Sequence, residues 1–394
     1  MASSDDNVLT EDLLHRPLPT AISTNDAQLH RSDWYAEMRK NHPVHYDDER
    51  ERWDVFRYAD VNEILRDHER FATMFGSDDE AKSMISQEPP EHGRLRNFAS
   101  SWFTPRVLEG YRDRFAAIAD DLIDDIEPGS VDIVPAFTHP YPVMVIAESL
   151  GLPVEDYEQF MEWSDASLRV PVRTEDEEEV TPEEQAEAKR AMAEYFSDLI
   201  EERAGDDGND LITIAANNDD LTHGEKIAFC RGILIAGNVT TINLITNALW
   251  CFAEFDLFEP IRSGEIDRKR AIEEVLRYRS PAQSVRRVTT QPAEIGGQEI
   301  DEGEVVVAWN GSANYDPEVF EAPHEFRPER TPNRHIGFGT GIHVCLGAPL
   351  ARIETDIALE RLLDRFSVIE PDLSDLSAQP IPFGLKSLPC YLEA

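Results

Sequence analysis

The sequence predicts a mainly α-helical chain with small β-sheets. Two observations carry that expectation. The first is a long apolar run, residues 227–250, opened by Thr222-His-Gly-Glu225 and free of proline until Pro260. Thr-x-x-Glu is a capping box, in which two orphan backbone donors at a helix start are satisfied reciprocally. The second is a scatter of short strand-like segments placed around glycine or acidic turns.

The elements follow in chain order. Residues 1–20 read as an N-terminal tail. Residues 44–46 and 53–56 flank the acidic turn 47–52 and predict a hairpin. Residues 59–66 look helical. Pro89-Pro90 opens another helix, since proline is tolerated in first turns. Residues 174–187, rich in acids, predict a solvated loop leading into a helix near 188–203. Gly205-Asp-Asp-Gly-Asn is a turn. A helix from Thr222 to about Phe255 would run on the order of 50 Å. It is apolar on most faces, so it belongs in a core. Residues 294–300 and 304–309 read as short strands, and residues 387–392 as a last one.

Charge narrows the function classes. The 394 residues hold 37 Lys and Arg against 78 Asp and Glu, a formal charge of −41. Only six of the cations are lysine. That sign argues against nucleic acid and against anionic lipid. An acidic, lysine-poor surface suits molar salt, where screening acts within a few ångströms, and predicts an extreme halophile that loses structure in low salt. The long apolar run contains Arg231, Asn238, Asn243 and Asn247, too polar for a membrane span. The N-terminus lacks the blocks of a signal peptide. The four cysteines show no zinc spacing and no C-x-x-C. These features predict a soluble, cytoplasmic protein.

The richest stretch is Phe338-Gly-Thr-Gly-Ile-His-Val-Cys345-Leu-Gly347. A thiolate is a soft metal ligand. Glycines let backbone N–H groups approach it, and the helix-like run from Ala348 adds a partial positive charge. The glycines do not complete a dinucleotide fingerprint, because Ile342 sits where the last one is needed, and no Gly-Lys-Ser/Thr follows. Read from the residues alone, Cys345 is either a metal ligand or a small buried hydrophobe.

This loop resembles the haem-binding loop of the cytochrome P-450 family, F-G-x-G-x-H-x-C-x-G, at every fixed position. The resemblance implies a single-domain cytochrome P-450 fold over residues 21–394, with the long helix over haem b and Cys345 as the axial thiolate on iron. In haem-thiolate proteins that ligand pushes electron density toward the metal. Phe338, Gly339, His343 and Gly347 are cofactor contacts by the same match.

Four further segments occur in family order. Ala236-Gly-Asn-Val-Thr-Thr241 is by itself a small-residue notch, in which Thr240 can bond back to the Ala236 carbonyl. It also resembles the family's oxygen-binding segment. By that match Ala236 and Gly237 border the cofactor, and Thr240 and Thr241 are catalytic, Thr240 donating a hydrogen bond to dioxygen. The usual acid is replaced by Val239, which cannot relay protons; Asn238 and Asn243 are weak substitutes. His92 and Arg96 share a helix face and resemble the family's H-x-x-x-R, implying propionate contacts. Arg287 is preferred over Arg286 for the third such contact, with His343 the fourth. Glu274, Arg277 and Arg330, in E-x-x-R and Phe326-Arg-Pro-Glu-Arg330, imply a structural triad.

The implied activity is a monooxygenase that inserts one atom of dioxygen into an apolar small molecule. A ferredoxin and a ferredoxin reductase would supply electrons, docking on a positive island of Arg94, Arg106, Arg334 and Arg352. Alternatives are a peroxide-driven or non-hydroxylating haem-thiolate enzyme, and a non-catalytic haem or small-molecule binding protein. Pocket walls by family position are Met84, Ile85, Leu168, Val170, Leu234, Val239, Ala282, Gln283, Pro382 and Phe383.

Overall fold

The central helix runs from His223 to Glu254 in the computed structural model, which describes residues 18–73, 83–168 and 181–394. Its 32 residues span about 48 Å. The predicted capping box closes its start. Thr222 Oγ1 accepts from the Glu225 N–H at 3.3 Å, and Glu225 Oε2 accepts from the Thr222 N–H at 2.8 Å. Helices Pro140–Leu150, Pro182–Glu202 and Ala348–Arg365 pack around it. Leu234, Ile242, Ile245, Leu249 and Phe252 are buried there.

By length and composition this helix could cross a bilayer. Here its polar side chains are spent inside the protein, where each buried polar group needs a partner. Asn243 Nδ2 donates to the Pro382 carbonyl at 2.9 Å. Asn247 Nδ2 donates to the carbonyls of Arg279 and Phe383. Thr246 meets Thr138 at 2.9 Å.

The strands are short and fall into four small sheets among the described residues. β1 (Val44–Asp47) and β2 (Arg52–Val55) make the predicted hairpin, with Tyr46 opposite Trp53. β3 (Phe71–Ala72), β5 (Val285–Thr289) and β8 (Val305–Ala308) join them in the order β1-β2-β8-β5-β3. β4 (Gly129–Asp132), β9 (Val368–Pro371) and β12 (Pro389–Glu393) form a second sheet. β6 (Ala293–Ile295) pairs with β7 (Gln298–Ile300), and β10 (Ala378–Pro380) with β11 (Phe383–Leu385).

Two expectations need correction. The helix expected near 188–203 begins earlier, at Pro182, because Thr181 and Glu184 form a second capping box with proline in the first turn. The acidic run before it, through residue 180, lies outside the described residues. So do residues 1–17 of the expected tail; residues 20–22 already form a helical turn with Ile22 buried.

The structural triad is present and sealed from solvent. Glu274 accepts from Arg277 Nε at 2.9 Å and from Arg330 Nε at 3.0 Å. Arg277 also donates to the carbonyls of Asn314, Pro323 and Glu325. These bonds tie helix Arg268–Tyr278 to the chain that leads into the Cys345 loop.

Candidate active site

The Cys345 loop is shaped by backbone bonds. The Gly339 N–H donates to Ile336, Val344 to Gly341 and Cys345 to Phe338. Gly341 has φ +76°, and a Cβ there would lie 2.4 Å from the Leu65 carbonyl oxygen, so no other residue fits. Helix Ala348–Arg365 starts immediately after, with Gly347 as its N-cap. Burial pushes the Cys345 thiol pKa up, while the amides of Gly347 and Ala348 and the charges of Arg96 and Arg352 pull it back. The sulfur sits deep in the molecule but on the wall of an open cavity, so it is available to whatever fills that space. Cys230, Cys251 and Cys390 are packed in the core.

The cavity, of about 330 Å³, separates the loop from the central helix. Residues 225, 228, 229, 232, 233, 236, 237, 240, 241 and 244 face it. That is one helical stripe at spacings of three and four. It includes Ala236, Gly237, Thr240 and Thr241. Thr240 Oγ1 donates to the Ala236 carbonyl at 2.9 Å, as expected. A Cβ on Gly237 would meet the Ile146 side chain at 2.7 Å, so the glycine sets the approach of helix Pro140–Leu150.

Basic side chains face the cavity from two further elements. His92 and Arg96 come from helix Glu91–Ser100, and Arg287 from β5. Alternation along the strand turns Arg286 the other way, toward Arg50. His343 also lines the cavity and lies against His92, their rings tilted by 57° with centroids 4.4 Å apart.

These residues are underused by the protein itself. His92 Nε2 is buried with no hydrogen-bond partner among the described residues. Arg96 donates to the Val344 carbonyl and Arg287 to the Arg286 carbonyl, and neither makes an ion pair among the described residues. Burial pushes His92 down to about 4, helped by His343 and Arg96. Burial also lowers Arg96 and Arg287. Arg287 is a buried cation with no ion pair among the described residues, which is costly, and a cofactor bearing carboxylates supplies the partners that it, Arg96 and the His92 ring lack. Together with the thiol opposite Thr240, the donor set fits haem b.

All twelve expected site residues therefore line one cavity: Phe338, Gly339, His343, Cys345 and Gly347 from the loop, with the helix and cationic residues above. The expected pocket walls fare less well. Met84, Ile85 and Ala282 are in place. Leu234 and Val239 fall off the cavity stripe into the core, and Phe383 packs beside Trp250. Gln283 turns away to Tyr35, and Pro382 does not line the cavity. Val170 and the Leu168 side chain lie outside what is described. Asn238 and Asn243 also miss the cavity. The positive island is halved, because Arg94 is paired with Glu91 and Glu225, and Arg352 with Glu273.

Sequence reading missed two acids. Glu354 lines the cavity, fully buried, with its pKa raised well above the usual range by burial and Oε2 unbonded. Its signal was the stripe Gly347, Leu350, Ala351, Glu354. Glu88 accepts from the Thr73 N–H at 2.8 Å and holds His343 Nε2 at 3.2 Å. Nothing in the local pattern announced it.

Comparison with known proteins places the chain as a whole. A family profile described as cytochrome P-450 matches residues 269–394. Cytochrome P-450 119 of Sulfolobus acidocaldarius is 37% identical over 358 residues, covering 86% of this chain and 92% of that protein. The crystal structure of CYP109B1 from Bacillus subtilis superposes with a TM-score of 0.85 at 39% identity, covering 92% of this chain and 99% of that one. CYP109E1 from Bacillus megaterium, solved in complex with corticosterone, gives 0.86 at 37% identity, covering 94% and 100%. The chain belongs to the cytochrome P-450 family and is a haem b-binding monooxygenase.

Proposed function

We propose that Cys345 is the axial thiolate, and that the enzyme inserts one oxygen atom into an apolar small molecule using electrons from a ferredoxin and its reductase. The carrying observation is the cavity itself, with a cradled thiol on one wall and Thr240 on the other. Bound haem supplies dioxygen activation; the chain supplies everything around it. The amides of Gly347 and Ala348 hold the sulfur's charge. His92, Arg96, Arg287 and His343 would hold the carboxylates of the bound haem, and Phe338, Gly339, Ala236 and Gly237 would pack against it. Thr240 and Thr241 would present hydroxyls to the cavity as proton donors.

Support for an apolar substrate comes from the wall: Leu95, Phe98, Ile146, Phe229, Ile233 and Leu244. Small-molecule pockets of this composition select by shape and apolar contact. The related CYP109E1 accommodates corticosterone. The net charge of −41 favours a soluble, cytoplasmic role away from anionic membranes.

One observation favours a second reading. On the cavity stripe of the central helix, Glu225 is the only acid, and it lies about 22 Å along the axis from Thr240. It is also held by Arg94. A central helix with no acid beside Thr240 on its cavity stripe fits peroxide as a co-substrate, since peroxide brings its own protons; the cavity's other acid, Glu354, comes from helix Ala348–Arg365. Product yields with ferredoxin, reductase and dioxygen, set beside yields with peroxide alone, decide between them. Higher turnover with the electron-transfer proteins supports the first reading; turnover with peroxide alone replaces it.

A further inference from the structure

A second cavity, of about 590 Å³, lies behind the C-terminal part of the central helix. No residue lines both cavities. Its wall combines Arg31, Tyr35, Trp250, Arg279, Gln283 and Phe383.

Two arginines are buried here, and they are treated differently. Arg279 is satisfied: it donates to Cys251 Sγ at 3.1 Å and to Glu254 Oε2 at 2.5 Å, and lies 3.5 Å above the Trp250 ring. Arg31 is 5% exposed. It donates from Nε to the Gln28 carbonyl at 3.2 Å and from Nη2 to the Gln28 side chain, both neutral acceptors. Its guanidinium sits 4.0 Å from the Phe383 ring centroid. The Tyr35 phenol lies beside the guanidinium as a further neutral partner, Nη1 makes no hydrogen bond of good geometry, and no carboxylate pairs with the residue among those described. Burial lowers its pKa.

A buried guanidinium held only by neutral groups is an expensive arrangement, and a carboxylate is its natural complement. Beside it, Trp250, Leu29 and Leu376 offer apolar surface. The acids nearby do not answer Arg31. Glu254 is committed to Arg279, and Asp375 stands exposed at the mouth, where salt screens it.

We propose that this cavity is a second small-molecule site, distinct from the haem cavity, that takes an organic carboxylate with an apolar ring body and pairs its carboxylate with Arg31. The ring would lie against Trp250, and the mouth at Ser374 would admit it.

The test is calorimetric titration of the haem-loaded protein with naphthalene-2-carboxylate, in saturating imidazole to occupy the haem side. The proposal predicts saturable single-site binding with no change in the Soret band. Arg31→Met and the mouth-filling Ser374→Trp should each weaken it roughly tenfold or more, the scale of one charge-assisted hydrogen bond. The neutral alcohol naphthalene-2-methanol should bind correspondingly worse. A normal carbon monoxide spectrum certifies that each variant is folded; if Arg31→Met fails that check, Ser374→Trp decides. Equal binding in the variants, no saturation in the millimolar range, or a Soret shift that tracks binding would overturn the proposal.

Discussion

Single residues set how tightly the cofactor is held and how protons reach it. Arg96 contributes one bond to the Val344 carbonyl and keeps its other donors for the cavity. A hydrogen bond to a charged group contributes about 1.5–3 kcal/mol. Arg96→Ala is therefore expected to speed haem loss to apomyoglobin by about tenfold to a hundredfold, read from the Soret transfer. Unchanged loss would remove Arg96 from the site. Thr240 donates back to Ala236 at rest, so its hydroxyl must turn from that carbonyl to donate into the cavity. Thr240→Ala should cut product formation by on the order of 10²-fold, the lower range for a positioned proton donor, with haem content intact. Equal product per reductant consumed would contradict that role. At this scale much was legible. The loop from Phe338 to Gly347 and the pair His92 and Arg96 carry their chemistry in local spacing. Glu354 and Glu88 were not legible, because a carboxylate's meaning depends on burial and on partners distant in sequence, here Thr73 and His343.

At the scale of elements, two devices lock the thiolate loop to helix Arg268–Tyr278. One is the Glu274–Arg277–Arg330 triad, with both Glu274 and Arg277 fully buried. Removing one partner strands a charge at a cost of about 3–5 kcal/mol. Arg277→Ala should lose that much in denaturant unfolding, or fail to accumulate; a loss under about 1 kcal/mol, the value of an exposed pair, would contradict the burial. The other is Glu273, which accepts from Arg352 Nε at 2.5 Å and meets His335 Nε2 at 3.0 Å. Burial pushes its carboxyl up, but those two bonds outweigh it and hold the pKa at about 2. A depressed carboxyl pKa stabilises the fold above the unfolded value, near 4.5, and that stability is lost as pH falls toward 2. Glu273→Gln should lower the melting temperature at neutral pH and flatten its decline across that acid window. A parallel shift at every pH would refute the linkage. The central helix, its capping box and the β1–β2 hairpin were readable because each is fixed by nearby residues. The early start at Pro182 is masked in the sequence because the capping acid Glu184 belongs to the same acidic run that reads as a solvated loop. The pocket walls were misassigned where helix phase decides: Leu234 and Val239 are one position off the cavity stripe.

The whole molecule carries a charge of −41, which no local motif explains. Like charges at such density repel across the surface, and the screening length falls from about 10 Å at 0.1 M salt to about 3 Å at 1 M. The melting temperature is expected to climb steeply over that interval; a flat salt profile would remove the halophilic reading. The fold class and the site were legible together because five separated segments occur in one order: three meet at one cavity, and the other two form the triad that braces its loop. Where the second cavity lies was not legible, since Arg31, Trp250 and Phe383 become neighbours only through packing of distant chain. The central claim is that Cys345 binds haem iron as a thiolate. The most direct measurement is the absorption spectrum of the purified protein in molar salt, reduced and exposed to carbon monoxide. A strongly red-shifted Soret band that disappears in Cys345→Ser is the predicted result. A band typical of histidine-ligated haem in the unaltered protein, or one that survives in Cys345→Ser, would contradict it.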